Sequence, residues 1–159
     1  MILVLLGTQD KPFLRLLKAV KEVKEKGNIK DKIIAQVGCT NFNCDNIETF
    51  DFIQKEELQT LIDKARVIIT HAGVGTIIEC LNKDKKVIVV PRLKKYKEHT
   101  NNHQLEITKE FASKNYVLPL YDTKNLSLTL EKLKTFKPDK YESNSTHFQN
   151  KIKEYIDKL

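Results

Sequence analysis

The stretch T-H-A-G-V-G-T-I-I-E-C-L, residues 70–81, gathers residue types that suit a phosphorylated ligand. Gly73 and Gly75 lack a Cβ, so the backbone there can come close to a bulky anion. The helix announced by the apolar pattern that follows would add unpaired N–H groups and the positive end of its dipole. A diphosphate fits such a junction. His71 stands just before the glycines, and Glu79 is the one acidic residue of the helical pattern. Plainer roles compete with ligand binding. Thr76 and Glu79 are spaced as a capping box, the glycines could serve only a tight turn, and His71 could be a satisfied polar residue at a strand end. The pattern is not the G-x-G-x-x-G dinucleotide fingerprint, because a third glycine is missing and the preceding strand is a late one. No G-K-[ST] occurs, so it is not a Walker loop either.

Two further clusters carry polar chemistry. Gly7, Thr8 and Gln9 follow an apolar run at the start of the chain. Later, V-P-R-L-K-K-Y-K-E-H-T-N-N-H-Q-L-E-I places Pro91 at a strand end and then a basic loop, with Asn102, His103 and Gln104 where a new helix should begin. Amide side chains there suit hydroxyl-rich ligands, since they offer a donor and an acceptor at once. The competing role is local: Asn101 or Asn102 as an N-cap, with the lysines simply solvated.

The elements that must hold these clusters are legible as periodicity. Short, nearly continuous apolar runs occur at Ile2 to Leu6, Ile33 to Val37, Ile47 to Phe52, Val67 to Ile69, Val87 to Val90 and Tyr116 to Leu120. Such runs predict strands buried on both faces. Helical stripes lie between most of them, as in Phe13, Leu16, Leu17 and Val20, and again in Leu58, Leu61, Ile62 and Ala65. The alternation predicts an α/β fold, a Rossmann-like parallel sheet flanked by helices. Ligands then bind outside the carboxyl ends of the strands, where the clusters fall. The connection from Val37 to Ile47 is the exception, being short for a parallel crossover.

Composition bounds the rest. The 159 residues predict a single domain, 1–159, in which 137–159 form a terminal loop and helix. In that helix Phe148, Ile152, Tyr155, Ile156 and Leu159 make an apolar stripe that either packs on its own domain or docks elsewhere. No apolar run has the length of a membrane span, and the start reads as a strand rather than a signal peptide. Three cysteines without paired spacing point to a reducing cytoplasm and away from zinc. The net charge of +7 suits nucleic acid, phosphorylated small molecules or an anionic membrane surface.

With the three clusters in view, the sequence resembles the C-terminal, nucleotide-sugar-binding half of family 28 glycosyltransferases. It looks closest to the small donor-binding proteins of that type found in bacterial capsular and exopolysaccharide synthesis, and it is similar to those of eukaryotic dolichyl-diphosphate N-acetylglucosamine transfer. The matching pieces are G-T-Q-D-K-P-F-L-R-L-L-K-A-V, I-T-H-A-G-V-G-T-I-I-E-C-L and K-V-I-V-V-P-R-L-K-K-Y-K-E-H-T-N-N-H-Q-L-E-I, over roughly residues 1 to 121.

The resemblance implies half of a GT-B fold holding a UDP-sugar as donor substrate, with no separate cofactor and no metal. Gly7 and Thr8 would approach the diphosphate together with His71, Ala72, Gly73, Val74, Gly75 and Thr76. His71 would help stabilise the departing diphosphate, and Glu79 would accept from the ribose hydroxyls. Gln104 would contact the sugar, and Asn102 stands where members often carry an acidic residue. Backbone groups around Phe52 and Ile53 would hold the uracil.

The implied partner is a membrane-associated subunit that supplies the N-terminal half and brings a lipid-linked acceptor. It would recruit this cytoplasmic chain to the inner face of the membrane, with the terminal stripe as the docking element. The rival from another class is a non-catalytic nucleotide- or nucleic-acid-binding protein. Against a nucleic-acid partner, the lysines are spread along the chain and no recognition motif is visible. A hydrolase built on Cys39 or Cys44 with His71 is weaker still, because nothing in the sequence places a base beside either thiol.

Overall fold

The structure, a computed structural model, describes residues 1–142 and 152–154. Its centre is the set of β-branched and leucine-rich runs. The first strand, β1, is Ile2–Leu5, and helix α1, Leu14–Glu25, follows it. Next come β2 (Ile33–Gln36), β3 (Glu48–Phe50) and helix α2 (Lys55–Lys64). Strand β4 (Val67–His71) leads into α3 (Val74–Asn82), and β5 (Lys86–Val90) leads into a 3-10 turn at Lys94–Tyr96. Helix α4 (His103–Ser113), the short β6 (Leu118–Pro119), a second 3-10 turn at Thr123–Asn125 and α5 (Leu126–Thr135) complete the order.

All six strands run parallel in the order β3-β2-β1-β4-β5-β6. The chain starts in the middle, builds outward to β3, then returns to lay β4 on the other side of β1. Consecutive connections therefore leave in opposite directions at the carboxyl ends of β1 and β4, which opens a crevice between them. Leu5 pairs with Thr70 in that register, so the loops after Leu5 and after Thr70 emerge side by side.

Alternation along each strand divides the core in two. Ile2 and Val4 face α1 and α5 and pack with Leu16, Leu17, Val20, Leu126 and Leu133. Leu3 and Leu5 face α2, α3 and α4 and pack with Ile62, Ile77, Leu81, Ile107 and Phe111. Burial on both faces explains why the strands read as continuous apolar runs.

The unusual connection between β2 and β3 is resolved as a parallel crossover without a helix. Phe42 and Cys44 pack against the α1 side of the core, and the Thr40 hydroxyl accepts from the Phe13 N–H at 3.0 Å. Two apolar side chains and one hydroxyl thus do the work of a covering helix over a strand of only three residues.

Residues 152–154 are helical, and Ile152 is buried in the same core as Tyr141. One member of the terminal stripe therefore packs on its own sheet. Phe148, Tyr155, Ile156 and Leu159 lie outside the described residues. Among the described residues, no helix is long and apolar enough to cross a membrane.

Candidate functional site

The crevice is built around His71. Strand β4 runs on to this residue, which pairs with Val90 of β5, so the imidazole stands at the carboxyl edge of the sheet rather than in a loop. Gly7 has φ +78°, and a Cβ placed on it would lie 2.5 Å from His71 Nε2. A Cβ on Gly73 would strike the same nitrogen. The ring is held between two glycine backbones, and both positions need the absence of a side chain.

The hydroxyl of Thr70 donates to the Leu5 carbonyl at 3.1 Å and lies 3.2 Å from His71 Nδ1. A hydroxyl has one proton to give, so Nδ1–H is the donor to Thr70 and Nε2 carries the free lone pair. Burial lowers the imidazole pKa to about 4, with the Arg92 guanidinium adding to the effect. His71 is therefore uncharged at neutral pH.

Arg92 is the cation beneath it. Its side chain is 1% exposed, stacks 4.8 Å from the centre of the Phe13 ring, and donates to three backbone carbonyls. These are Leu6 at 2.8 Å, Lys11 at 2.7 Å and Glu98 at 3.2 Å. Burial pulls its pKa down to about 10, against the opposing pull of Glu98 and Asp10. Glu98 is itself buried, accepting both Nε and Nη2 of Arg15 at 2.9 Å and the Leu93 N–H at 3.0 Å. Together these bonds clamp the loop after β1 to the loop after β5.

Gln104 performs a similar task from α4. Its side-chain oxygen accepts from Ala72 N–H at 3.2 Å and from Arg92 N–H at 2.9 Å, joining the ends of β4 and β5. Only its NH2 group remains to serve a ligand. Asn102 is at the N-cap position of α4, but its oxygen accepts from Lys94 N–H at 2.9 Å instead of capping the helix. Asn101 accepts from the His103 N–H at 3.2 Å and contacts His103 Nδ1. The His99 and His103 rings meet edge to face at 4.4 Å, and burial lowers the pKa of both.

Helix α3 begins at Val74 with Gly73 as an extended N-cap and no side-chain cap. Its first intrahelical bond runs from Ile77 N–H to Gly73 O at 3.0 Å, which leaves the N–H groups of Val74, Gly75 and Thr76 without intrahelical acceptors. Nothing lies within 4 Å of the position a Gly75 Cβ would take, and Gly75 is exposed. Thr76 is inside the helix, and the Thr76–Glu79 capping box does not form. Glu79 is half-buried, and its contact with Gln59 Nε2 of α2, at 3.5 Å, is at the outer limit of a hydrogen bond. The carboxylate is placed beside α2 and left largely uncommitted.

Phe52 and Ile53 follow β3 and lead into α2. Phe52 is 52% exposed, and its ring lies 3.7 Å from where a Gly38 Cβ would be. Gly38 has φ +54°, and that same Cβ would come within 3.0 Å of the Gly7 carbonyl. The ends of β1, β2 and β3 are thereby packed together at one rim, with Thr8 exposed beside Gly7.

Arg92 and Gly38 are site-forming residues that the spacing of motifs does not reveal. A signal existed for Arg92: it is an arginine directly after the strand-ending Pro91, followed by a run of lysines. A planar fork serving several carbonyls requires arginine, whereas a solvated charge does not. Among the described residues, no three His, Cys, Asp or Glu side chains gather as a metal site would need.

Comparison with known proteins agrees with this fold. The model of the glycosyltransferase family 28 C-terminal domain matches residues 1–159. The UDP-N-acetylglucosamine transferase subunit ALG13 of Candida albicans is 36% identical over 89 residues, covering 56% of this chain and 29% of that protein. Its namesake in Homo sapiens is 38% identical over 63 residues, covering 40% of this chain and 5% of that protein. The chain thus spans less than a third of the length of these two relatives.

Among solved structures, the NMR structure of ALG13 superposes with a TM-score of 0.63 at 19% identity, covering 95% of this chain and 94% of that one. MurG from Acinetobacter baumannii superposes at 0.57 with 16% identity, covering 98% of this chain but 49% of that one. The fold is equivalent to one half of a two-domain GT-B glycosyltransferase. The six-stranded parallel sheet, its open helix start beside His71 and the match along the whole sequence place the chain in the glycosyltransferase family 28 C-terminal domain family.

Proposed function

We propose that the crevice between β1 and β4 holds a UDP-sugar, and that the chain is the donor-binding subunit of a two-component glycosyltransferase acting on a lipid-linked saccharide acceptor. The observation that carries this reading is the start of α3, where the N–H groups of Val74, Gly75 and Thr76 lack intrahelical acceptors beside His71 at the sheet's switch point. The diphosphate would lie on those groups, and Glu79 would accept from the ribose hydroxyls. The uracil would sit toward Phe52 and Ile53, with the Gln104 NH2 directed at the sugar. The relatives' name, UDP-N-acetylglucosamine transferase subunit, supports both the donor class and a partner.

In the transfer step an acceptor hydroxyl attacks the anomeric carbon, the bond to the diphosphate oxygen breaks, and UDP departs with the electron pair. The α3 N–H groups and dipole would stabilise that departing charge. His71 is uncharged at neutral pH, and an anion against Nε2 would raise its pKa. A proton taken up there would turn the lone pair into a donor toward the leaving group. The acceptor site and catalytic base would come from a membrane-associated partner, whose closure over the donor excludes water.

Calorimetric titration with UDP, UDP-GlcNAc, UDP-glucose and UDP-galactose tests the reading. Saturable binding that requires the UDP moiety, and that Glu79→Ala weakens, is expected. No binding by the chain alone or with its partner would overturn it. Deleting residues 145–159 is expected to reduce co-purification with the partner; unchanged recovery would remove the tail as docking element.

A further inference from the structure

Several cations of this chain are engaged by main-chain oxygens or carboxylates. At the amino end of the strands, Lys85 Nζ donates to the carbonyls of Asp63 at 2.7 Å and Ala65 at 3.1 Å, and Lys86 Nζ donates to Leu133 at 3.1 Å. Arg66 pairs with Asp31 at 2.6 Å, which helps hold the Asp31 carboxyl down to about 2. In the turn after β5, Lys94, Lys95 and Lys97 are exposed, and among the described residues no carboxylate or carbonyl engages their ammonium groups.

Between these lysines stands Tyr96, 51% exposed. Its ring meets the Arg15 guanidinium at 4.7 Å and Lys95 Nζ at 4.9 Å. The turn borders a cleft of about 440 Å³ that adds Lys18 and Lys124 to the same surface. The two glutamates of that cleft are already used, Glu98 by Arg15 and Glu22 by Lys26. What remains is uncompensated positive charge around one exposed aromatic ring.

We infer that the Lys94–Lys97 turn is a docking surface for an anionic bilayer. Lysine ammonium groups meet headgroup phosphates while their stems and the tyrosine ring lie at the interfacial level, which suits a ring with an apolar body and a polar tip. RNA is disfavoured by the same geometry, because single-stranded binding needs open aromatic faces for bases and here Arg15 and Lys95 lie against the Tyr96 ring. The chain then touches the membrane itself, beside any contact made through a partner. This inference does not depend on the nucleotide-sugar reading, and its test contains no nucleotide.

The purified chain would be sedimented with phosphatidylcholine vesicles with and without phosphatidylglycerol. Binding is expected only with the anionic lipid, and it should weaken as salt rises. The triple variant K94Q/K95Q/K97Q should lose roughly 100-fold in partitioning. The variant K30Q/K55Q/K64Q, which removes the same charge from exposed positions elsewhere, should keep most of it. The chain has no tryptophan, so Y96W supplies a single reporter whose emission should shift to the blue on anionic vesicles. Absence of binding at low salt, equal loss in both triple variants, an unmoved Y96W emission, or displacement from vesicles by single-stranded RNA would each overturn the inference.

Discussion

A side chain on Gly7 would put its first carbon 2.5 Å from Nε2 of His71, so the loop after β1 and the end of β4 are fitted to each other at van der Waals contact. Gly7→Ala must therefore displace the ring as well as strain a backbone at φ +78°. The left-handed conformation alone costs about 1–2 kcal/mol in a non-glycine residue. Urea unfolding should show a larger loss than that, and part of it should return in the Gly7→Ala/His71→Ala double variant. Strict additivity of the two changes would mean that the ring does not occupy this space.

Glu79→Ala should weaken UDP binding by about 1–3 kcal/mol, the scale of a lost charge-assisted hydrogen bond. Because the helix start carries no side-chain cap and Gln59 is 3.5 Å away, the melting temperature should barely move. A fall in melting temperature with unchanged affinity would make Glu79 a structural residue.

The depressed pKa of His71 links stability to pH. Between about pH 4 and 6.5 the unfolded chain carries a proton on this ring that the folded chain does not. Stability is therefore lost as pH falls from 6.5 through 4, by at most about 3 kcal/mol for this group. His99 and His103 act in the same direction, so His71→Asn should flatten the pH dependence of the urea midpoint without abolishing it. An unchanged slope would mean that the ring is solvated.

Binding should couple to the same proton. If a diphosphate raises the pKa of His71, the calorimetric enthalpy of UDP-GlcNAc binding near pH 6 should vary with the ionisation heat of the buffer, and His71→Asn should remove the variation. Identical enthalpies across buffers would leave the α3 backbone as the one stabiliser of the leaving group.

Arg92→Met should cost about 3 kcal/mol, since three carbonyls lose a charged donor. Hydrogen exchange should quicken in residues 6–12 and 93–102 ahead of the rest. Arg92→Lys should restore only part of the loss, because an ammonium cannot span carbonyls from both loops as a guanidinium does. A loss below about 1 kcal/mol would show that the loops hold without the clamp.

Much of the fold was legible because its signals are local and periodic. Strands buried on both faces read as continuous apolar runs, and α1 and α2 showed their stripes at helical spacing. Features that depend on residues distant in sequence were not legible. Nothing near Gly7 or Gly73 announces that their missing side chains make room for an imidazole, since Gly7 lies far from His71 in sequence and becomes its neighbour only through β1–β4 pairing. The capping-box spacing of Thr76 and Glu79 was misleading, because Gly73 starts the helix three residues earlier through its extended backbone. Arg92 looked like one more charge in a basic loop, and only its burial distinguishes it from the lysines that follow. The β2–β3 crossover seemed too short because parallel connections usually run longer, and here Phe42 and Cys44 suffice to cover it.

Arg92 fastens main-chain oxygens at Leu6, Lys11 and Glu98, and a main-chain oxygen is the same whatever residue bears it. The clamp is therefore blind to the side chains of Thr8 and Gln9 that its loop displays. Substitutions can accumulate there without unfastening the loop, so ligand preference and architecture are free to drift at different speeds. A lineage could retune what the rim recognises one residue at a time while inheriting the same chassis.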